Sequence, residues 1–129
     1  MYINNKKINV ALIGCGRISK NHIKSIFIHK DLAQLKAICD CDNLRLKNTK
    51  ELINNIASEF DCKEFSYKEF NSDINLFNAI KSKEIDIDLV VLATPSGMHP
   101  DQVFLAAEAG VNVCTEKPMA TTWEDGLKM

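Results

Sequence analysis

The 129-residue chain has no apolar stretch approaching the ~18–20 residues of a membrane-spanning helix. Its N-terminus, Met1-Tyr2-Ile3-Asn4-Asn5-Lys6-Lys7, has no apolar core of a secretory signal, since Asn9 interrupts the short run that follows. A cytoplasmic protein with no membrane partner is expected. Basic residues are in no excess: 16 Lys and Arg stand against 17 Asp and Glu, for a net charge of −1, and the longest basic run is Lys6-Lys7. Binding nucleic acid by charge needs a clustered basic excess, so no nucleic-acid partner is expected. The five cysteines, Cys15, Cys39, Cys41, Cys62 and Cys114, are odd in number and lack C-x-x-C spacing or a neighbouring His pair. Neither disulfides nor a metal site is expected; reduced cysteine acts as a small apolar side chain. Cys15 leaves one alternative open, because a thiol beside a helix N-terminus can have a lowered pKa. There is no internal repeat, low-complexity tract or linker, and the length suits one domain with a real core.

What the chain does have is alternation. Short β-branched runs give way to longer stretches of helical period, which predicts an α/β fold with a parallel sheet and crossover helices. Strands are expected at Ile8 to Ile13, Leu35 to Cys39, Asp88 to Ala93 and Val111 to Thr115, with a short one at Phe65 to Tyr67. Helices are expected from Ile18 to about His29 and from Asn43 to Phe60, the latter interrupted by Lys47, Asn48, Thr49 and Lys50. Leu76, Phe77 and Ile80 line another, capped by Ser72 or Asp73. Pro100 suits the first position of a helix that Gly110 stops. Thr122, followed three residues later by Asp125, opens a last helix near the end of the chain.

Gly14-Cys15-Gly16-Arg17-Ile18-Ser19 follows a predicted strand and opens a predicted helix. That context suits a dinucleotide site: Gly14 allows a tight turn, Gly16 allows backbone to approach a pyrophosphate, and the helix N-terminus offers free N–H groups. Ser19 replaces the usual third Gly or Ala and is small enough for close packing. Arg17 is placed where it could reach a phosphate. The second strand ends at Asp40, where a carboxylate can accept hydrogen bonds from the adenosine ribose. It would repel a 2′-phosphate by about 4 kcal/mol for unit charges ~4 Å apart at an effective dielectric near 20. NAD is therefore expected over NADP. Asp42 is the better cap for the next helix, leaving Asp40 free.

Val10 to Ile18 with Asn21-His22, then Thr94-Pro95-Ser96-Gly97-Met98-His99, then Glu116-Lys117-Pro118, resemble the N-terminal domain of the glucose-fructose oxidoreductase/inositol dehydrogenase (Gfo/Idh/MocA) family. Thr115 to Thr121, with Trp123 to Gly126, is similar to one branch of it, the UDP-N-acetyl-2-amino-2-deoxyglucuronate 3-dehydrogenases. The resemblance implies a Rossmann-type doubly wound sheet and an NAD-dependent dehydrogenase acting on a secondary alcohol of a sugar or sugar nucleotide. It implies that Gly14, Cys15, Gly16, Arg17, Ile18 and Asp40 bind cofactor, and that Thr94, Pro95, Ser96 and His99 line it toward the nicotinamide ribose. Glu116 would contact the cofactor or fix its loop. Lys117 would sit beside the nicotinamide as base or fixed cation, with a cis bond before Pro118. His22 reads better as a packing residue than as a ligand, and Trp123 either packs over the site or staples the last helix. The resemblance also implies that residues 1–129 are one dinucleotide-binding domain, incomplete at its C-terminus. A second, mainly antiparallel domain outside the chain would supply a histidine, most of the substrate site and the contacts of a homo-oligomer, so this chain alone is expected to be inactive. The competing reading is a non-catalytic nucleotide-binding or sensing module, which has no need of Lys117.

Overall fold

A computed structural model describes residues 6–129, so the N-terminal segment 1–5, read above for a signal, lies outside the described residues. Five strands, β1 (Ile8–Ile13), β2 (Ala33–Cys39), β3 (Lys68–Phe70), β4 (Leu89–Leu92) and β5 (Asn112–Thr115), form one sheet in the order β3-β2-β1-β4-β5. Every pairing is parallel. The intervening segments form α1 (Ser19–Ile28), α2 (Asn43–Glu59), α3 (Asp73–Lys81) and α4 (His99–Ala109), and a short α5 (Trp123–Lys128) follows β5.

Side chains alternate across the sheet, so it buries a core on each face. Val10, Leu12, Leu35 and Ile38 meet Ile23 and Phe27 of α1 and Ile53 and Ile56 of α2. Ala11, Ile13, Ala37 and Cys39 meet Leu76 and Phe77 of α3 and Ala106 of α4. A sheet covered on both faces has nearly continuous apolar strands, which is why β1 and β4 are legible as short apolar runs. Asn9 is buried within β1 but satisfied: its side chain accepts from Gln34 Nε2 at 2.7 Å and donates to Asp86 at 3.2 Å.

Two elements differ from the sequence expectation. The strand read at Phe65 to Tyr67 instead begins at Lys68. The Phe65 ring meets Phe27 edge-on at 5.5 Å and stacks with Tyr67, so these aromatics plug the α1 side of the core and pairing starts beyond them. The polar run Lys47 to Lys50 does not interrupt α2, because Thr49 alone of the four turns inward and is 3% exposed.

Helix ends follow local chemistry. Asp42 caps α2 by accepting from the Leu44 and Arg45 N–H groups at 2.9 and 3.3 Å. Ser72 caps α3 through the Asn75 N–H, and Gly110 stops α4 in the left-handed conformation at φ 70°. Thr122 caps α5 by accepting from the Asp125 N–H at 3.1 Å.

Candidate functional site

The strand registers bring the carboxyl ends of all five strands to one edge. Ile13 pairs with Cys39 and with Leu92, Cys39 with Phe70, and Leu92 with Thr115. The residue after each strand therefore emerges in one row, tied by ladder bonds: Gly14 N to Cys39 O at 2.8 Å, Asp40 N to Phe70 O at 3.1 Å, Ala93 N to Ile13 O at 2.8 Å and Glu116 N to Leu92 O at 3.0 Å. Strand order reverses between β1 and β4, the place where doubly wound sheets open a ligand crevice.

A cleft of about 370 Å³ opens there, lined by Gly14, Gly16, Asp40, Thr94 and Pro95. A larger groove of about 730 Å³ lies at the β3 end of this row, lined by Phe70 and Asn71 and by polar residues of α3 that include Asn75 and Asn78.

The two glycines of the loop do different work. Gly14 has φ +98°, and a Cβ there would lie 2.6 Å from the backbone C and O of Ala93, so the turn after β1 packs directly on the turn after β4. A Cβ at Gly16 would meet nothing within 4 Å, so the backbone there faces open space. The first turn of α1 has no side-chain cap and no acidic residue to repel an anion; its Ser19 and Asn21 N–H groups bond the Gly16 and Ile18 carbonyls at 3.2 and 3.0 Å, so the positive end of the helix rather than a full set of free donors faces an incoming anion. Ser19 is 2% exposed and donates to the Gly16 carbonyl at 2.6 Å, filling the small-residue position of the loop.

Asp40 is not free, contrary to expectation. One carboxylate oxygen accepts from the Cys15 N–H at 2.8 Å and the other from the Asp42 N–H at 2.9 Å, with the residue 8% exposed. The carboxylate thus clamps the glycine loop to the end of β2. Each oxygen has a second lone-pair direction, so both remain able to accept from a ribose hydroxyl in the cleft. Cys15 points into the core, 7% exposed, and burial pushes its thiol up to about 11. This overturns the alternative of a lowered pKa, because desolvation outweighs the helix terminus. Burial likewise pushes Cys39 up to about 12, and all five cysteines are free.

The other expected site residues divide into two groups. Thr94 and Pro95 line the cleft, whereas Arg17 and Ile18 are exposed and take no part in its lining, and Ser96 is half-buried in a 3₁₀ turn. His99 cannot line a cofactor: it is 0% exposed and its ring faces backbone carbonyls on both sides. Glu116 fixes its loop, with Oε1 2.6 Å from His22 Nε2 and Oε2 accepting from the Lys117 N–H at 3.3 Å. The His22 bond, first, and the Lys117 N–H hold the Glu116 carboxyl below its ordinary value of 4.5. His22 is accordingly a hydrogen-bonded structural residue. Lys117 is exposed, and its bond to Pro118 is cis. Trp123 neither covers the site nor staples a helix; it is 80% exposed.

Sequence reading missed Arg45, Asn71, Ser72, Asp73, Met98 and Gln102, which complete the cleft wall. Gln102 bridges it, accepting from the Thr94 hydroxyl at 2.6 Å and donating to Asp73 at 3.0 Å. Locating β3 at Lys68–Phe70 would have revealed Asn71 to Asp73, because they leave the sheet at the same edge as Asp40.

The sequence model of an oxidoreductase family with an NAD-binding Rossmann fold, GFO_IDH_MocA, matches residues 8–129. The chain belongs to the Gfo/Idh/MocA family. The WlbA dehydrogenase from Bordetella pertussis, solved in complex with NADH and UDP-GlcNAcA, is 40% identical with a TM-score of 0.79 over 98% of this chain and 33% of that one. D-apiose dehydrogenase of Paraburkholderia graminis is 33% identical over 96% of the chain, and 2,7-anhydro-N-acetylneuraminate hydratase of Mediterraneibacter gnavus is 30% identical over 93%. The chain spans 28% and 27% of these two relatives' lengths.

As a Gfo/Idh/MocA Rossmann domain, the chain has NAD as its cofactor, and its residues fit that group. The open space at Gly16, the uncapped start of α1 and the cleft between Asp40 and Thr94 match a pyrophosphate flanked by an adenosine. Among the described residues, no helix is long and apolar enough to cross a membrane.

Proposed function

We propose that the chain is the cofactor-binding part of an NAD-dependent dehydrogenase that oxidises a secondary hydroxyl of a sugar nucleotide, the 3-hydroxyl of a UDP-linked N-acetylhexosaminuronate. The observation that carries this reading is Lys117. It lies one residue beyond the Glu116 end of the row that holds the glycine loop, and Asp40 and Glu116 are three strand spacings apart, roughly 14 Å at ~4.8 Å per strand. That offset suits a reactive group placed far from the adenosine end of an extended dinucleotide. The likeness to a dehydrogenase solved with NADH and UDP-GlcNAcA supports the substrate class.

Bound NAD supplies the hydride acceptor. The chain's own residues supply position and proton handling. Asp40 orients the adenosine ribose, the Gly16 backbone and the start of α1 hold the pyrophosphate, and Thr94 and Pro95 line the path toward Lys117. As hydride leaves the substrate carbon, a neutral Lys117 amine takes the hydroxyl proton, or its ammonium stabilises the developing oxyanion. A profile of kcat against pH separates the two, since base action fails on the acid side and cationic stabilisation on the alkaline side. A sensing module that only binds nucleotide has no use for an exposed lysine at this end of the row. We further propose a cytoplasmic homo-oligomer, the five free thiols being in keeping with a reducing compartment.

In the intact protein, Lys117→Ala should lower NADH formation from the UDP-linked uronate by about 10²–10⁴-fold, with NADH affinity changing by less than about threefold. Turnover indifferent to that substitution would remove Lys117 from the chemistry.

A further inference from the structure

Lys117 stands between two residues that are each held by a histidine from a different helix. On one side, Glu116 continues β5 through its bond to the Leu92 carbonyl and meets His22 of α1 at 2.6 Å. Its second carboxylate oxygen accepts from the Lys117 N–H. On the other side, the carbonyls of Pro118 and Met119 each lie 3.2 Å from Nδ1 of His99, at the start of α4. The opposite nitrogen, Nε2, lies 3.0 Å from the Thr94 carbonyl on the turn after β4. His99 therefore spans the two loops that carry Thr94 and Lys117, and being 0% exposed it exchanges none of these contacts for water.

The donor count gives the arrangement its meaning. A carbonyl only accepts, so each of the three contacts needs an N–H from the ring, and a neutral imidazole has one. Only the imidazolium satisfies all three; a neutral ring protonated on Nδ1 still satisfies Pro118 and Met119. A ring protonated only on Nε2 would turn a lone pair toward both carbonyls and hold neither.

We propose that His22 and His99 form a two-sided brace that sets the position of Lys117, with His99 protonated on Nδ1. Both are positioning residues: one fixes the residue before the lysine, the other the two residues after it. An exposed, flexible side chain is thereby carried on a backbone that cannot drift. The consequence for turnover rests on the dehydrogenase reading above, whereas the brace itself is read from the backbone.

The test uses the intact protein and two substitutions at His99. In His99→Asn the side-chain amide sits near the place of Nδ1 and keeps the strap on residues 118–119; in His99→Gln it sits near the place of Nε2 and keeps only the Thr94 contact. Hydrogen exchange at the Lys117 and Met119 amides should rise by about tenfold or more in His99→Gln, with β1 and β4 unchanged, and by much less in His99→Asn. For the sugar nucleotide, kcat should fall by up to about 10²-fold in His99→Gln with KM for NAD nearly unchanged, and recover in His99→Asn. Nitrogen-15 shifts of the His99 ring should report a protonated Nδ1. Unchanged exchange in His99→Gln, equal effects of the two variants, or a bare Nδ1 overturns the brace. Should the buried His99→Gln variant not fold, His22→Ala at a half-buried position carries the test: a Lys117 amide and a kcat that both stay at wild-type values overturn it. A wild-type protein that turns over no sugar nucleotide, yet loosens at residues 117–119 when His99 is replaced by Gln, removes the dehydrogenase reading and leaves the brace standing.

Discussion

The two ends of the strand-end row are built on different principles. At the Asp40 end, Gly14 packs against the Ala93 backbone, Cys15 is 7% exposed, and Asp40, 8% exposed, accepts from the Cys15 and Asp42 backbone. The sheet here is internal, with β1 paired on both edges. At the Lys117 end, β5 has one neighbour, its residues alternate between exposed and half-buried, and Met119 and Trp123 are 51% and 80% exposed. Recognition of a constant group such as a dinucleotide tolerates a buried, rigid cradle made of backbone. On the proposed function Lys117 meets a substrate and has to stay accessible, and the proposed brace supplies its rigidity through its neighbours rather than by burial.

The comparison is broken most severely at Gly14. Gly14→Ala puts a Cβ 2.6 Å from the Ala93 backbone in a positive-φ position. It should cost about 3–5 kcal/mol and lower Tm by roughly 10–20 °C. Gly16→Ala, two residues on and with open space around it, should leave Tm within a degree or two while weakening NADH binding, as followed by cofactor fluorescence. Equal destabilisation by both would show that the cradle is not held by packing at Gly14.

Asp40→Asn should have an intermediate effect. One of the two backbone N–H groups it serves would face an amide N–H₂ instead of an oxygen, costing about 2 kcal/mol by chemical denaturation. With Asp40 at the adenosine ribose, as proposed, its carboxylate would repel a 2′-phosphate, so titration of NADH and NADPH should show a clear preference for NADH in the wild type and a narrower one in the variant. Equal affinity of the wild type for both would take Asp40 out of that role.

The smallest effect is expected at the Lys117 end. The Glu116 carboxyl is held below 4.5 in the folded chain, so its bond to His22 contributes fully above that pH and is lost as the pH falls through the lowered value. The pair is half-exposed, so the change should stay under about 1 kcal/mol, read as faster exchange of the Lys117 amide below pH 4.5. Loss of protection on raising the pH from 5 instead would mean that another group governs the loop.

Ile8 to Ile13 was legible as a strand to the residue, and so were the caps at Asp42 and Thr122, because each depends on neighbours within a few positions; for α3 the choice between Ser72 and Asp73 stayed open until the fold selected Ser72. The same holds for the turn at Gly14 and for the identity of the cofactor, since the glycine loop and the Glu116-Lys117-Pro118 run are local motifs. The start of β3 was not legible, since Phe65 and Tyr67 have strand-like chemistry but Phe65 is claimed by Phe27, which lies 38 residues before it, and Tyr67 stacks on Phe65. Nor was His99, whose motif placed it along a cofactor while its partners lie 19 and 20 residues away in a loop brought close by β4–β5 pairing. Sequence by itself determined what needs only short-range chemistry: the α/β alternation, the phosphate loop, the acid at the end of β2 and the lysine after β5. Tertiary structure alone decided which polar groups remain for a ligand. Asp40, Glu116 and His99 all spend hydrogen bonds on backbone or side chains that only folding brings within reach, and a buried polar group left without such a partner would cost too much to keep.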